Sequence, residues 1–443
     1  MHRRCLLLVW GLVSALSAAS AVSISGQVYR DANGNGRRDA GESGWAQVAI
    51  TDGLTFVSTG DDGRYTIDAK VDPVRGERAA PLVTVCWPTG SWPSTPRARL
   101  VGAGVDAAAV DFGLKPSAQA LPFRFVHATD LHVPRGGKAK MADFKAEVAA
   151  LKAPQAFAVL TGDLVDLSDS HTYDQGKDEW GYFAEQVADF PVPWLAVTGN
   201  HDIAGIRAKT GWDTNHPDYG YGFYDRIVGP LRWSFDYAGV HFVGVDYNNR
   251  DNGTWAWGVP KSAVDWLALD LARLKPGTRC YLFVHYPIVP NQAFAELVSR
   301  AKVTGIFTGH SHVDRTVDVR GVPGLVGGSV SQVFDDKDRE TGYRLVEVTA
   351  DGFQSFYKTT GRPHAVTLDY PRYNSTLKPG DAIRGSFYDP EAKITKLAVA
   401  YGDVKAEVPF QRGSLACAFE TTPDLAALAD GSYELTVTLT GDG

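Results

Sequence analysis

The chain has 443 residues, of which 44% are hydrophobic and 21% charged, and it carries a formal net charge of −7 at pH 7. Because this length exceeds that of one typical domain, we expect two or three domains. The composition is that of an ordinary soluble, globular protein. Because the net charge is negative and no Lys/Arg-rich run occurs, the sequence argues against nucleic-acid binding through a basic surface.

Residues 1–21 have the pattern of an export signal. A basic start at residues 2–4 is followed by an apolar stretch at residues 5–16, and Ala19-Ser20-Ala21 fits a cleavage site. The apolar stretch is too short to span a bilayer comfortably, and no cysteine suited to lipid attachment follows it directly. We therefore predict export to the periplasm or the extracellular space, without a stable membrane anchor, as a mature chain that starts near Val22.

Residues 22–115 contain short runs of strand character separated by Gly, Asp and Pro. The clearest runs are residues 23–29, 48–50, 65–67 and 82–85. This spacing is typical of a small all-β sandwich domain. Residues 116–122, which begin and end with proline, predict a linker to the next domain.

Residues 31–42 of this first domain fit a twelve-residue calcium loop. Oxygen-bearing side chains stand at positions 1, 3, 5, 9 and 12, and Gly36 at position 6 permits the sharp turn. No helical pattern flanks the loop, so it is not an EF-hand. It resembles the metal loops in β-sandwich repeats of bacterial surface adhesins, which implies a structural calcium ion; the alternative is a solvated turn. The candidate ligands are Asp31, Asn33, Asn35, Asp39 and Glu42.

Residues 123–360 alternate between apolar runs of strand length and stretches with helical periodicity. Apolar side chains three or four positions apart predict helices that contain Met141, Trp180 and Val264. This order is that of an α/β core, in which ligands bind beyond the carboxyl ends of the strands. Residues 361–443 return to short strands, such as 397–401 and 433–437, and predict a second small β domain. The strands predicted in the core are residues 125–128, 156–160, 193–197, 240–245, 281–284 and 303–307.

Polar motifs directly follow five of the predicted core strands. A single histidine or aspartate after a strand is usually an ordinary core or turn residue. If each of the five motifs were an ordinary turn, their occurrence at the same edge of one sheet would be a fivefold coincidence. We therefore predict that they form one site. The motifs are Asp130-Leu131-His132, Gly162-Asp163, Gly199-Asn200-His201-Asp202, His285 and Gly309-His310-Ser311-His312.

The residue types in these motifs suit a hard or borderline metal ion. Two Asp, one Asn and four His offer oxygen and imidazole ligands without a thiolate, which fits Mn²⁺, Fe or Zn²⁺. Their number exceeds what one ion needs, and a carboxylate such as Asp163 can bridge two ions. A two-ion site lowers the pKa of a bound water and draws in the oxygens of a phosphoryl group.

In this order the five motifs resemble those of the calcineurin-like metallophosphoesterase superfamily. The resemblance implies a four-layer α/β/β/α core, here flanked by two small all-β sandwich domains, and the three-part layout is similar to an exported bacterial subgroup. His201 matches the histidine of the superfamily that does not bind metal, which implies that it protonates the leaving oxygen or stabilises the charge on the phosphoryl group, and Asp202 is its expected orienting partner. The implied ligands are Asp130, His132, Asp163 and His312 for one ion, and Asp163, Asn200, His285 and His310 for the other.

The function that the resemblance implies is that of an exported dinuclear-metal phosphoesterase. Such an enzyme hydrolyses phosphate mono- or diesters by direct attack of a metal-bridging hydroxide, and we expect a small-molecule or envelope-derived substrate. One alternative is a nuclease on the same core, which the negative charge disfavours. The other is a non-catalytic envelope-binding protein with a residual metal site, which the complete ligand set disfavours. The leaving group, the metal and the oligomeric state stay open at this point.

Overall fold

The structure is a computed structural model that describes residues 21–441 apart from 77–78, 103, 135–137, 152, 208, 252–253, 287–291, 302, 332–340, 363–365, 372–375 and 427. The predicted export signal lies outside the described residues except for its last position. Within these ranges, no helix has both the length and the apolar character needed to cross a membrane. The described part of the chain contains 28 strands and five α-helices.

The first eight strands form two four-stranded sheets. Strands β1–β8 span Val22–Arg30, Ala49–Thr51, Phe56–Ser58, Arg64–Ala69, Leu82–Cys86, Ser91–Pro93, Ala98–Leu100 and Phe112–Pro116. One sheet has the order β4-β1-β8-β6 and the other the order β3-β2-β5-β7. In β4 every second side chain is buried, because alternate residues of a strand point to opposite faces of the sheet. The four strands predicted in this segment are confirmed.

The next thirteen strands build the core. Strands β9–β21 span Phe123–Ala128, Gln155–Thr161, Trp194–Val197, Trp233–Tyr237, Val240–Gly244, Asn248–Asp251, Thr254–Trp257, Arg279–Phe283, Gly305–Thr308, Arg315–Val319, Val322–Val326, Gly342–Val348 and Phe353–Thr359. They form a sheet with the order β11-β10-β9-β20-β21, a sheet with the order β12-β13-β16-β17-β19-β18, and the hairpin β14-β15. Strands β9, β10 and β11 are parallel neighbours, as are β13, β16 and β17, so within each set the carboxyl ends share one edge.

Helices cover the outward-facing side chains of both core sheets. Helices α1–α5 span Lys138–Ala150, Tyr173–Ala188, Gly222–Ile227, Lys261–Ala272 and Gln292–Arg300. Helices α1 and α2 share a buried cluster with Val126 of the five-stranded sheet, and α4 and α5 share another with Leu282 of the six-stranded sheet. Phe125 and Phe283 meet between the two sheets, with ring centroids 6.0 Å apart. The core is therefore of the α/β type, and the three predicted helices are confirmed.

The last seven strands form two small sheets. Strands β22–β28 span Val366–Tyr370, Ile383–Phe387, Ile394–Tyr401, Val404–Glu407, Phe410–Arg412, Cys417–Thr421 and Leu435–Gly441. One sheet has the order β22-β23-β27-β26 and the other the order β25-β24-β28. A separate cluster of buried side chains, which includes Phe387 and Leu397, lies among these strands. The described residues of this segment form strands and no helix, and the final strand begins two residues later than the predicted run.

The N-terminal sheets and the core are joined by a common set of buried contacts. Trp87 stacks on Phe235 of β12, with ring centroids 4.6 Å apart. Arg232, whose side chain is 1% exposed, pairs at 2.6 Å with both Asp72 of the first segment and Asp246 of the core. A buried guanidinium is costly to desolvate unless it is paired, so these two carboxylates couple the first segment to the core energetically.

Candidate metal centre

The seven predicted metal ligands lie in loops that follow strands of both core sheets. Asp130 and Asp163 follow β9 and β10, Asn200 follows β11, and His285 and His310 follow β16 and β17. The carboxyl ends of these parallel strands are where ligands bind in α/β sheets. The structure brings all seven side chains together at this edge, and six of them are buried while His310 is partly exposed.

Five of the seven candidate ligands have a left-handed backbone conformation. Among the described residues ten non-glycine residues have a positive φ, so half of all such cases lie at this one site. Each costs about 1–3 kcal/mol, and such strain tends to be retained at functional sites. The φ values are 52° for Asp130, 44° for His132, 50° for Asp163, 70° for His310 and 55° for His312.

Asp130, His132, Asp163 and His312 form the first group of candidate ligands. Their ligand atoms all lie within 4.8 Å of one another. His312 Nε2 lies 3.1 Å from Asp130 Oδ1 and 3.0 Å from His132 Nε2. His132 Nε2 lies 3.8 Å from both Asp130 Oδ1 and Asp163 Oδ2. Two imidazole nitrogens and two carboxylates therefore converge on one point.

Asp163, His285 and His310 form the second group, and their ligand atoms also lie within 4.8 Å of one another. His285 Nε2 is 3.3 Å from Asp163 Oδ2 and 3.2 Å from Asn200 Oδ1. Its Nδ1 faces the carbonyl oxygen of Thr161 at 2.7 Å, and this contact directs Nε2 into the site. Asp163 belongs to both groups, so its carboxylate lies between them.

The polar atoms of the centre fit a bound cation. Asp130 Oδ2 accepts hydrogen bonds from the Thr129 hydroxyl and the His310 backbone N–H, at 2.7 and 2.9 Å. Asp130 Oδ1 is buried and makes no well-aligned hydrogen bond with the described residues, although Nε2 of the candidate ligand His312 lies 3.1 Å away. A poorly satisfied buried carboxylate oxygen is costly, and a metal ion bound by Asp130 and His312 would remove that cost. Oxygen and imidazole donors together suit Mn²⁺, Fe or Zn²⁺.

Opposite charges within the centre stabilise one another. Burial raises the pKa of the Asp163 carboxyl, but the charge of His285 and its hydrogen bond lower the pKa more, to below the ordinary value. Burial lowers the pKa of His285, but Asp163 raises it more, to about 9. The protein alone thus balances a buried carboxylate with a protonated imidazole, a role that a bound cation would also fill.

His201 lies at the partly open side of the centre. Its backbone N–H donates to Asp163 Oδ1 at 2.9 Å, and its Nε2 lies 4.0 Å from Asp163 Oδ2. Its Nδ1 is 3.0 Å from Oδ1 of the buried Asp169. Burial lowers the pKa of His201, but the Asp169 hydrogen bond and the charge of Asp163 raise it more, to about 9. With 18% of its side chain exposed, His201 is within reach of a bound molecule.

The expectation that Asp202 orients His201 is wrong. Asp202 is fully buried, and its Oδ1 accepts hydrogen bonds from the backbone N–H groups of Leu164 and Val165 at 2.8 and 3.2 Å. Its Oδ2 accepts from the Gly199 N–H at 2.7 Å. The carboxylate therefore clamps the loop after β10 to the loop after β11, while Nδ1 of the His201 imidazole contacts Asp169 instead. The orienting partner is Asp169.

Gly199 and Gly309 allow the loops of the centre to approach closely. A Cβ atom on Gly199 would lie 2.1 Å from both the backbone nitrogen and Oδ1 of Asp163. On Gly309 it would lie 1.8 Å from the Thr129 hydroxyl and 2.6 Å from Asp130 Oδ2. Both distances are far below van der Waals contact, so a larger residue would displace a candidate ligand.

Two residues of the site, Asp169 and Tyr286, were not predicted from the sequence. The Tyr286 hydroxyl donates to Asn200 Oδ1 at 3.3 Å, and its ring centroid is 4.2 Å from that of His310. Its position directly after His285 was a weak signal that could have been used. Asp169 offered no such signal, because it lies in a loop that carries no motif and precedes His201 by 32 residues.

The predicted calcium loop closes on its own N–H groups. Asp31 is buried, and its carboxylate accepts hydrogen bonds from three backbone N–H groups of the turn that follows it. Glu42 accepts from two further backbone N–H groups, and Asp39 accepts from the side-chain amides of Asn33 and Asn35. In the described residues this loop provides no group of three acidic or histidine ligands close enough for one ion. The calcium ion stays a prediction.

Residues 123–314 match the family model described as calcineurin-like phosphoesterase. The matched segment contains all seven candidate ligands as well as Asp169 and His201. No curated protein gives a significant match to the chain.

Several solved structures are similar to part of this chain. GAP50, the anchor in the inner membrane complex of Plasmodium, is 15% identical, with 54% of this chain and 85% of that chain covered and a TM-score of 0.38. A putative 5'-nucleotidase from Staphylococcus aureus is 13% identical, with 53% of each chain covered and a TM-score of 0.36. Phosphopantetheinyl hydrolase from Mycobacterium tuberculosis is 14% identical, with 50% of this chain and 99% of that chain covered and a TM-score of 0.30. At these values the similarity carries no information on the substrate.

Proposed function

We propose that this chain, whose residues 123–314 form a calcineurin-like phosphoesterase domain, is an exported, metal-dependent hydrolase of phosphate mono- or diesters. The observation that carries the proposal is the sharing of Asp163 between two groups of buried ligands, with His201 at their open side. A donor set of this size and composition is unnecessary for a binding module but matches what hydrolysis at phosphorus requires.

The proposed cofactors are two ions of Mn, Fe or Zn. The first group of ligands would hold one ion, and the second group together with Asn200 would hold the other. When bound, the ions supply Lewis-acid charge at the phosphoryl oxygens and lower the pKa of a coordinated water. The reaction then needs no serine or cysteine nucleophile from the protein.

His201 is the proposed proton donor to the leaving oxygen. Asp169 engages Nδ1, so Nε2 is the ring atom directed toward the centre and toward a bound ester. As the bond between phosphorus and the leaving oxygen breaks, that oxygen takes the proton from Nε2. The buried carboxylate of Asp169 both fixes the tautomer and stabilises the imidazolium before transfer.

We also propose that the mature protein acts outside the cytoplasm on a small-molecule or envelope-derived ester. The pattern of residues 1–21 supports export. The formal charge of −7 and the lack of a Lys/Arg-rich run favour a small or envelope-derived substrate over a nucleic acid. The location therefore rests on the export pattern, and the substrate class rests on the charge of the chain.

The test uses the mature chain, stripped with a chelator and reloaded with Mn²⁺. We expect hydrolysis of nitrophenyl phosphate or bis-nitrophenyl phosphate only after reloading. The Asp163→Asn variant should lose bound metal and turnover together, because the Asp163 carboxylate belongs to both groups of candidate ligands. The His201→Ala variant should keep its metal content by elemental analysis but lose about 10²–10⁴-fold in rate with phenyl phosphate, whose basic leaving oxygen needs a proton as it departs.

Three outcomes would contradict the proposal. Full turnover by the chelator-stripped protein or by Asp163→Asn would show that the centre is not the site of hydrolysis. Metal binding without hydrolysis of any phosphoester would favour the envelope-binding alternative. Hydrolysis of polynucleotides with a steep loss of rate at raised salt would favour the nuclease alternative, because phosphate-backbone binding is salt-sensitive.

A further inference from the structure

A small pocket with aromatic and aliphatic walls lies beside the candidate metal centre. Its volume is about 190 Å³. An engineered cavity of about 150 Å³ is known to hold a benzene molecule, so this pocket has room for one ring system. The pocket is lined by Ile203, Ile206, Arg207, Asn248, Trp255, Ala256 and Trp257.

The pocket adjoins the side of the centre on which His201 lies. The Asn248 side chain donates to the carbonyl oxygen of Gly199 at 3.1 Å, directly before the ligand Asn200. Arg207 Nε donates to Asp169, the residue that holds His201 Nδ1. Two lining residues therefore contact the loops that carry or orient the proposed proton donor. In an ester bound at the centre, the group that departs with the protonated oxygen would point this way.

A second connection runs along aromatic rings. The ring centroid of Trp257 is 6.0 Å from that of Tyr286, whose hydroxyl donates to Asn200 Oδ1 at 3.3 Å. Tyr247 lies against the same Tyr286 ring, with centroids 4.4 Å apart. The wall of the pocket is thus continuous with the residues around the centre.

The hairpin β14-β15 holds Trp257 in an exposed position. Among the described strands, these two pair only with each other, and an isolated hairpin has little stability of its own. Trp255 anchors it against Tyr221, with ring centroids 5.4 Å apart. Trp257 remains 52% exposed, so a large apolar surface faces solvent next to the site. Large exposed aromatic groups at a rim are typical of surfaces that bind a ligand.

We propose that this pocket binds the leaving group of the substrate, and that this group carries a planar aromatic ring. The inference rests on the proposed function, because it presumes a phosphoester at the adjacent centre. The Arg207 guanidinium lies 6.0 Å from the Trp257 ring centroid, and its side chain is half exposed. An aromatic ring on the leaving group would be attracted to the Trp257 ring and to the Arg207 guanidinium, whereas a cationic leaving group would be repelled by the guanidinium.

The kinetic test compares two esters in two proteins loaded with Mn²⁺. A naphthyl group is large enough to occupy the pocket of about 190 Å³, and an ethyl group is not. The ratio of kcat/KM in the wild type to kcat/KM in the variant, taken for each ester, cancels the different intrinsic reactivities of the two esters. For Trp257→Ala we expect kcat/KM for naphthyl phosphate to fall about tenfold while that for ethyl phosphate changes less than about twofold. Trp257→Phe, which keeps a ring, should retain most of the preference.

The matched control is Tyr433→Ala, which removes another exposed aromatic side chain, 44% exposed, in the C-terminal β segment. It should leave both esters unaffected. Equal losses for the two esters in Trp257→Ala, or no loss for either, would overturn the pocket assignment.

A binding measurement separates failure of the pocket from failure of the proposed function. If the wild type hydrolyses neither ester, the proposed function fails, and calorimetry with naphthylmethylphosphonate and ethylphosphonate still tests the pocket. We expect the naphthyl compound to bind at least about tenfold more tightly, and Trp257→Ala to remove that difference. Equal affinity of the two phosphonates for the wild type would overturn the inference.

Discussion

Replacement of Asp169 by asparagine tests the role of the His201–Asp169 pair. The substitution keeps the size of the side chain and an oxygen that can accept from Nδ1, but it removes the negative charge and the second oxygen, which accepts from Arg207 Nε. The contact measures 3.0 Å, and Asp169 is fully buried, so solvent does not replace the lost charge. A hydrogen bond to a charged group contributes about 1.5–3 kcal/mol, which corresponds to a loss of about 10–150-fold in kcat.

The assay compares two leaving groups of different basicity. A phenolate needs a proton as it departs, whereas a nitrophenolate needs little help. With phenyl phosphate, Asp169→Asn should lose about 30-fold in kcat, and with nitrophenyl phosphate about threefold or less. Because the two residues act as a unit, the double variant with His201→Ala should be no slower than His201→Ala alone. Metal content should equal that of the wild type.

Asp236→Asn is the matched control. It also removes a carboxylate from the Nδ1 side of a histidine, His241, at 2.7 Å, but at the opposite ends of the core strands. Its kcat should equal that of the wild type. Equal losses for the two esters in Asp169→Asn would refute the reasoning, as would losses that multiply in the double variant, since either result would mean that Asp169 does not act through proton transfer.

Three further predictions concern stability. Gly199→Ala should lower the free energy of unfolding by about 1–3 kcal/mol and reduce metal content, because its Cβ would overlap Asp163; Gly181→Ala, with open space around it, should instead raise stability slightly. Arg232→Met should cost about 3–5 kcal/mol in urea unfolding, because it leaves two buried carboxylates unpaired, whereas Lys261→Met, which breaks an exposed pair, should cost little. Burial lowers the pKa of His241, but its two aspartate partners raise it more, to about 9. Protonated His241 should therefore contribute about 3 kcal/mol to the free energy of unfolding, fully below about pH 6.5, and this contribution should be lost as the pH rises through 9. In urea unfolding at a series of pH values, His241→Gln should flatten the dependence of stability on pH.

The candidate ligands were predictable because each follows a strand in an order that the sequence shows. An apolar run followed by a glycine and a short polar motif, as at Val197 to Asn200, indicates both the strand and its end. Parallel neighbours then bring such ends together, as β9, β10 and β11 do. The oxygen and imidazole donors of these side chains then predicted the class of ion, Mn²⁺, Fe or Zn²⁺. Local pattern and topology together therefore determine most of the centre.

The orienting partner of His201 was not predictable in the same way. Asp202 is adjacent in sequence, but the loop turns its side chain back toward the N–H groups of Leu164, Val165 and Gly199. Asp169 reaches His201 from a separate loop. No pattern within either loop encodes this contact, because it depends on how the two loops pack.

The close attachment of the first β segment to the core also escaped sequence reasoning. All five side chains of β5 are buried, so its pattern does not show which face contacts another segment. The stacking of Trp87 on Phe235 and the burial of Arg232 against Asp72 depend on the final docking of two sheets. A short linker and alternating runs predict a separate sandwich but give no information on its contacts.

Titration of Mn²⁺ into metal-depleted protein, with turnover of nitrophenyl phosphate measured at each step, tests most directly whether Asp163 joins two ion sites. We expect the wild type to bind two ions per chain, and activity to appear only as both sites fill. Asp163→Asn should bind at least about tenfold more weakly at both sites, because its carboxylate contributes to each group. Unchanged binding of two ions by Asp163→Asn, or full activity of the wild type without metal, would contradict the account.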